Sequence, residues 1–190
     1  MAWVRLALAV MCAGLALAGC GARSASPGAP LASTRVVVSA HAEGSASGGR
    51  AVGVKMPEQL RFTAKTLDGK DFSGASLAGK PAVVWFWAPW CPRCQGEAED
   101  IAAAAKETAG RVAFLGVAAQ DEVPAMQEFV RKYDLGSFPH LADTDAAVWK
   151  RFGVVEQPAH AFITADGTVE MVLKQLPTNE LLDRVRALAG

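Results

Sequence analysis

The sequence predicts an α/β domain in which a mixed central sheet carries helices on both faces and follows an N-terminal β-hairpin. Residues 82–88 form an almost unbroken apolar run, which is typical of a central strand covered on both sides. A helix-length segment separates this run from a second apolar run at residues 112–118, so these two strands are expected to be parallel. Two further strand patterns flank the turn signal Ala165-Asp166-Gly167 and predict an antiparallel hairpin in the same sheet.

Prolines, glycines and capping residues set the other boundaries. The first predicted helix has Pro92 near its start and Gly110 beyond its end. The N-terminal hairpin is expected around Asp68-Gly69, because this dipeptide favours a tight turn between strands. The predicted helices cover residues 92–109, about 121–133, about 144–153 and a segment from residue 178 onward. After the hairpin, the predicted order is therefore β-α-β-α-α-β-β-α.

The first 19 residues have the pattern of an export signal. Residues 1–19 combine a single positive charge with an apolar stretch that is shorter than the roughly 20 residues of a membrane-spanning helix. This stretch ends in Leu17-Ala18-Gly19-Cys20, which resembles a bacterial lipobox, and the Cys20 thiol would then receive the lipid. An ordinary secretory signal with an incidental Cys20 is the alternative. The sequence thus predicts an extracytoplasmic protein that is lipid-anchored to the cell membrane.

A low-complexity segment follows the signal. Residues 20–54 are rich in Ala, Ser, Gly and Pro, which predicts a flexible, lipid-anchored tether with an r.m.s. reach of roughly 30–35 Å. The valines at residues 36–38 could instead add a short edge strand. The folded domain is expected over residues 55–190. With 19 basic and 19 acidic residues and no basic run, the sequence does not indicate a nucleic-acid partner.

The motif Trp90-Cys91-Pro92-Arg93-Cys94 lies between the central strand and the first predicted helix. Two thiols at this spacing can close into a disulfide and reopen. This is the chemistry of thiol-disulfide exchange. Outside the cytoplasm such a disulfide can persist.

The predicted fates of the other two cysteines leave Cys91 and Cys94 to pair only with each other. Cys12 would leave with the signal and Cys20 would carry the lipid, so no cysteine remains for a separate structural disulfide. A zinc site needs four ligands. Beyond the pair, the chain offers only three scattered histidines as further ligands, His41, His140 and His160. His140 and His160 are expected to be packed or hydrogen-bonded rather than catalytic. We therefore predict no metal and no cofactor other than the Cys91–Cys94 disulfide.

A late proline completes a recognisable pattern. Pro158 precedes the second strand hairpin, and together with the strand, the motif and the helix it resembles the thioredoxin fold. More narrowly, the chain resembles the extracytoplasmic thiol-disulfide oxidoreductases related to TlpA, ResA and DsbE. Residues 86–98 are similar to the mycobacterial DsbE/DsbF lipoprotein type, and the resemblance covers about residues 56–190. It implies an enzyme that exchanges its Cys91–Cys94 disulfide with exported cysteine-containing proteins, and a membrane redox partner that resets the disulfide.

Each part of the site has an expected role. Cys91 is the predicted nucleophile, because a helix N-terminus and the nearby Arg93 both favour its thiolate. Cys94, one turn further on, is the predicted resolving thiol. In the resembled family the proline at the position of Pro158 is cis and faces the disulfide, and the backbone of the preceding residue, here Gln157, pairs with an extended substrate. The predicted substrate-contacting residues are Trp90, Pro92, Arg93 and Gln157.

Two of these residues have a second interpretation. Trp90 either shields the sulfur and offers a surface to substrate, or is simply a packed aromatic. Glu97 shares a helix face with Cys94 and matches an active-site glutamate of the ResA-like branch, where a carboxylate handles the proton of the buried thiol. Alternatively, Glu97 is an acid that the helix dipole favours in a first turn. Thioredoxin itself has a buried aspartate at the position of Trp85, so that proton relay is absent here.

The motif leaves the direction of electron transfer open, since reduction potentials in this chemistry span about −270 to −120 mV. Stabilising the Cys91 thiolate favours the reduced form and makes a protein a better oxidant. Together with the mycobacterial resemblance, this favours an oxidase that acts in oxidative folding. The alternatives are a thiol reductant in cytochrome c maturation and a non-catalytic thioredoxin-like binding lipoprotein.

Overall fold

The computed structural model describes residues 56–190. The predicted signal, the lipidated Cys20 and the predicted tether lie outside the described residues. The strands are β1 (Thr63–Lys65), β2 (Asp71–Ser73), β3 (Ala82–Trp87), β4 (Ala113–Ala118), β5 (His140–Ala142), β6 (Ala159–Ile163) and β7 (Val169–Val172). The helices are α1 (Pro92–Glu107), α2 (Val123–Lys132), α3 (Ala147–Arg151) and α4 (Thr178–Ala189).

Five of the strands form one mixed sheet in the order β5-β4-β3-β6-β7. β3 is parallel to β4, and β4 is parallel to β5. β6 is antiparallel to both β3 and β7. β1 and β2 form a separate antiparallel hairpin. The predicted mixed sheet with an N-terminal hairpin is confirmed. Within residues 56–190 no helix has the length and apolarity needed to cross a bilayer.

The predicted element order was wrong in one place, because it omitted β5 between α2 and α3. This strand has three residues, follows Pro139 and begins with His140, so it shows neither a long apolar run nor an alternating pattern. Its position is set by pairing with the edge of β4, which is a contact between distant parts of the chain. Strand propensity is weak evidence for a segment of this kind.

Alternate residues of β3 face two separate cores, and every residue of this strand is buried. Trp85 and Trp87 pack in the first core with side chains of α1, α2 and α4. Val84 and Phe86 pack in the second core with α3 and the N-terminal hairpin. Helices therefore cover both faces of the sheet, as predicted. The cysteine motif follows directly from the end of β3, the most buried strand.

A row of residues in register crosses the first face of the sheet. Gly116 pairs with Trp85 on one side and with His140 on the other. His160 pairs with Trp85 from β6. The His140 ring lies over Gly116, and its Nε2 is 3.0 Å from the Leu135 carbonyl oxygen. The absence of a side chain at Gly116 therefore makes room for a buried imidazole.

Replacing Gly116 with alanine is expected to lower the free energy of unfolding by about 1–3 kcal/mol, because it overpacks this row. An added Cβ would lie 2.0 Å from His140 Nδ1, so the ring would have to move and lose its bond to Leu135. Denaturant unfolding measures the change. Gly136→Ala is the matched control, since nothing lies within 4 Å of a Cβ built there. Equal stability of the two variants would contradict this account of Gly116.

Candidate active site

Cys91 occupies the N-cap position of α1, immediately after the turn that follows β3. Its Sγ accepts a hydrogen bond from the Cys94 backbone N–H at 3.3 Å. Pro92 is the first residue of the helix and is exposed. At this position a sulfur faces the free backbone N–H groups and the positive end of the helix dipole. Both favour a thiolate over a thiol. Only 3% of Cys91 is exposed, so attack is confined to a narrow opening.

Cys94 lies one turn further along α1 and is fully buried. Both cysteines are free thiols in this structure. Burial raises the pKa of the Cys94 thiol above its ordinary value, with a further contribution from its contact with Cys91 and a smaller one from the Glu97 charge. Cys94 therefore keeps its proton at a pH where an ordinary thiol ionises. This is the behaviour expected if Cys91 attacks and Cys94 resolves, as the sequence predicts.

The raised pKa of Cys94 predicts that the dithiol form loses stability in alkali. The folded thiol keeps its proton at a pH where the thiol of the unfolded chain, with a pKa of about 8.5, releases it. Stability from this group is therefore complete below about pH 8.5 and falls above it, by up to about 1.4 kcal/mol per pH unit. Denaturant unfolding of the reduced protein at rising pH measures the slope. A reduced Cys94→Ala variant with the same slope would contradict the assignment.

The loop before β6 closes the other side of the opening. The Gln157–Pro158 peptide bond is cis, and Pro158 is buried. The Gln157 carbonyl oxygen lies 3.9 Å from Cys91 Sγ. The structure thus brings Gln157, Pro158 and Cys91 together at one edge of the sheet.

Arg93 links the two sides of this opening. Its guanidinium donates a hydrogen bond of 3.0 Å to the Gln157 carbonyl oxygen and lies 3.6 Å from the Glu156 carboxylate. We expected Arg93 to act as a cation for the Cys91 sulfur. Its guanidinium lies on the Gln157 carbonyl next to Cys91 Sγ, and its charge is partly shared with the exposed Glu156 carboxylate.

Trp90 flanks the opening on the remaining side, with 52% of the residue exposed. Its indole Nε1 donates a hydrogen bond of 3.0 Å to the Gln120 carbonyl oxygen, in the loop after β4. The polar edge of the ring is anchored while much of its apolar surface remains open. This is the arrangement of a contact surface rather than of a core aromatic.

Glu97 lies behind Cys94 and only 1% of it is exposed. Its Oε1 accepts a hydrogen bond of 2.6 Å from Trp85 Nε1. Glu99, two residues on, is exposed to solvent. Neither acid lies in the first turn of α1, so the helix dipole does not account for them. Glu97 is instead buried in the first core beside Cys94. The indole of Trp85 thus orients a carboxylate that α1 supplies.

His160, which we expected to be packed or hydrogen-bonded rather than catalytic, lies beside Glu97. His160 is fully buried, and its Nε2 lies 3.2 Å from Glu97 Oε1, close enough for an ion pair but not aligned for a hydrogen bond. The sequence signal for it was a histidine inside an otherwise apolar strand. His140 is different, because burial lowers its pKa to about 4 and it remains neutral at physiological pH.

Within residues 56–190, no group of three or more His, Cys, Asp or Glu side chains is arranged to hold a metal ion. The chemistry that the geometry supports is reversible exchange between the Cys91–Cys94 dithiol and a disulfide.

The chain is similar to known proteins over most of the described residues. The AhpC/TSA family model matches residues 52–172. The soluble secreted antigen MPT53 of Mycobacterium tuberculosis is 47% identical over 140 residues, which are 72% of this chain and 80% of that protein. The structure of M. tuberculosis DsbF superposes with a TM-score of 0.68 at 56% identity, covering 70% of this chain and 99% of that one.

A secreted M. tuberculosis disulfide oxidoreductase homologous to Escherichia coli DsbE superposes with a TM-score of 0.66 at 48% identity. The match covers 69% of this chain and 98% of that one. The similarity to the mycobacterial type that residues 86–98 predicted is therefore confirmed.

Proposed function

We propose that this chain, which belongs to the AhpC/TSA family and is a thiol-disulfide oxidoreductase related to the DsbE and ResA proteins, donates its Cys91–Cys94 disulfide to exported proteins. It would act as an oxidase in oxidative folding outside the cytoplasm. The observation that carries this proposal is the position of Cys91 Sγ at the N-terminus of α1, where it accepts the Cys94 amide. Stabilising the Cys91 thiolate stabilises the reduced enzyme, and that makes its disulfide more oxidising.

The exchange has two steps. A substrate thiolate attacks Cys91 Sγ, a substrate–Cys91 disulfide forms, and the Cys91–Cys94 bond breaks. Its electron pair goes to Cys94 Sγ, which takes up a proton. A second substrate thiolate then attacks the substrate sulfur of the mixed disulfide and releases Cys91 as a thiolate. The substrate loses two electrons and the enzyme gains them, so a membrane redox partner must remove them before the next cycle.

Substrate would lie across the opening between Trp90 and the Gln157–Pro158 loop. The exposed face of Trp90 offers an apolar contact surface. An extended peptide could pair with the backbone of Gln157, whose carbonyl lies 3.9 Å from Cys91 Sγ. Pairing there would hold a substrate sulfur near Cys91 Sγ. Pro92 and Arg93 border the same opening from α1 and would contact the peptide.

The reduction potential tests the oxidase proposal. The protein is equilibrated with glutathione redox buffers, quenched by alkylation and read by mass spectrometry. We expect a potential above about −200 mV, near that of protein disulfide isomerase. The wild type should also speed the oxidative refolding of a reduced substrate more than it speeds insulin reduction. A potential near the −270 mV or so of thioredoxin would overturn the proposal.

A thiol reductant in cytochrome c maturation is the second candidate, and the burial of Glu97 favours it. A negative charge behind Cys94 contributes to raising the pKa of that thiol, and so opposes ionisation of the dithiol. A less acidic dithiol is a stronger reductant. The two candidates therefore differ in which group dominates the reduction potential, the helix terminus at Cys91 or the carboxylate near Cys94. Equilibration with glutathione separates them, because it measures that potential.

We also propose that the enzyme is held at the outer side of the cell membrane by a lipid on Cys20. The lipobox pattern Leu17-Ala18-Gly19-Cys20 supports the lipid anchor. The name of MPT53, a soluble secreted antigen, supports only a location outside the cytoplasm. Membrane fractionation of cells that express the wild type or Cys20→Ala tests it. The wild type should partition with membranes, whereas the variant should not. Equal partitioning of the two proteins would contradict the lipid anchor.

A further inference from the structure

A buried acid–imidazole pair lies behind the resolving thiol. Glu97 and His160 are 1% and 0% exposed, and their nearest polar atoms are 3.2 Å apart. Glu97 Oε2 and both ring nitrogens of His160 have no hydrogen-bond partner among residues 56–190. An isolated buried charge would be more costly at this position than a buried carboxylate with an imidazole beside it.

The surroundings of His160 contain few other charges. From α1, Glu97 and Cys94 face this region. The neighbouring strands contribute the Trp85 indole on β3 and the apolar Val172 on β7. The α4 side carries a surface guanidinium over the Phe162 ring, and it is already paired with two carboxylates: Arg184 with Glu170 and Glu180. His140, in the same row of the sheet, is kept neutral by burial.

Cys94 must lose its proton to attack a mixed disulfide on Cys91. Glu97 lies three residues further along the same helix, so the two side chains share a face. Burial of Cys94 disfavours its thiolate, so release of the proton to solvent is slow and a nearby acceptor is needed. Glu97 can serve as that acceptor only while it is ionised, and a lone buried carboxyl group prefers its neutral form.

We propose that His160 is the positioning residue for the resolving step, holding the Glu97 carboxylate in place beside Cys94 so that it can accept the Cys94 proton. In this step the Cys94 S–H bond breaks and the proton moves to the Glu97–His160 pair. The Cys94 electron pair forms the Cys91–Cys94 bond. The bond between Cys91 and the partner sulfur breaks, and the partner leaves as a thiolate. The pair returns the proton to Cys94 when the disulfide opens again.

This inference rests on dithiol exchange at Cys91 and Cys94, but it holds for either direction of electron transfer. In one direction Cys94 attacks the mixed disulfide on Cys91. In the other direction the mixed disulfide forms as the Cys91–Cys94 bond opens, which is the reverse of the same step. The residue that carries the argument is His160, since without it Glu97 would be a buried carboxyl group with only the Trp85 indole as a partner.

The experiment measures the resolving step in a single turnover. Reduced enzyme is mixed with a small disulfide such as a glutathione-capped peptide, quenched with acid and analysed by mass spectrometry. We expect His160→Phe to accumulate the mixed disulfide, with resolution about 100-fold slower than in the wild type at neutral pH. The deficit should shrink as pH rises, because hydroxide can then accept the proton in place of Glu97.

Glu97→Gln should show the same loss, and combining it with His160→Phe should add little, because the two residues act as one unit. His160→Asn, which keeps a polar group, should recover part of the rate. His140→Asn is the matched control, since it removes another buried imidazole from the same row of the sheet. It should leave the pH profile of resolution unchanged.

Formation of the mixed disulfide separates this role from a general loss of structure. The double variant Cys94→Ser/His160→Phe should react with the disulfide probe at the same rate as Cys94→Ser alone, because that step uses only Cys91. Wild-type resolution rate and pH profile in His160→Phe would overturn the inference. If the wild type itself forms no mixed disulfide, the proposed function fails instead.

Discussion

Replacing Cys91 with serine is expected to abolish turnover, with a loss of at least about a thousandfold, because a hydroxyl can neither form a disulfide nor replace a thiolate nucleophile. Cys91 is the thiol at the opening, where its Sγ lies beside the Gln157 carbonyl and accepts the Cys94 amide. Oxidative refolding of a reduced substrate and insulin reduction both measure the loss. Binding of an unreactive peptide substrate should persist, which would separate an enzyme from a binding module.

The matched variant Cys94→Ser should behave in the opposite way. It keeps the attacking sulfur but cannot release the partner, so adducts on Cys91 should accumulate. Non-reducing gels and intact-mass measurements detect them. Turnover that survives in Cys91→Ser, or adducts that fail to form in Cys94→Ser, would contradict the roles assigned to the two sulfurs.

Replacing Trp85 with alanine is expected to lower the free energy of unfolding by about 3–5 kcal/mol. Trp85 is fully buried, stacks on Trp87 with ring centroids 5.6 Å apart, and donates to Glu97 Oε1. Truncation would therefore remove core contacts and also leave a buried carboxylate oxygen without its donor. Denaturant unfolding at neutral pH measures the change.

A pair of tryptophan variants separates packing from the hydrogen bond. Trp85→Phe keeps an aromatic ring but removes the hydrogen-bond donor. Loss of the donor should lower the free energy of unfolding by about 1–3 kcal/mol, in addition to the effect of the smaller ring. Trp87→Phe makes the same change in a buried ring whose Nε1 has no hydrogen-bond partner among residues 56–190, so it should cost less. Equal costs for the two variants would show that the bond to Glu97 contributes nothing.

The sequence predicted the parts of the fold that depend on local pattern. β3 and β4 are long apolar runs, and α1 begins at a proline, so their residues identify them without knowledge of their partners. β5 was missed because three residues cannot show a period, and its strand exists through pairing with β4. Strand pairing of this kind depends on the whole sheet.

The candidate site divides in the same way. The cysteine motif and Pro158 are recognisable in the sequence because the spacing and the following helix are local. The burial of Glu97 was not predictable, since spacing shows which residues share a helix face but not what that face packs against. His160 reaches Glu97 because β6 pairs with β3 in a register that sets it opposite Trp85. That register comes from tertiary packing between segments far apart in the chain.

Only one of the two sulfurs reaches solvent, and it does so through a gap bordered by Trp90 and the Gln157–Pro158 loop. If the proposed function holds, a protein substrate and a redox partner would both have to reach Cys91 through this gap. They would then exclude each other, and turnover would alternate between them in a ping-pong sequence. A high concentration of either one should then inhibit the cycle by occupying the gap against the other.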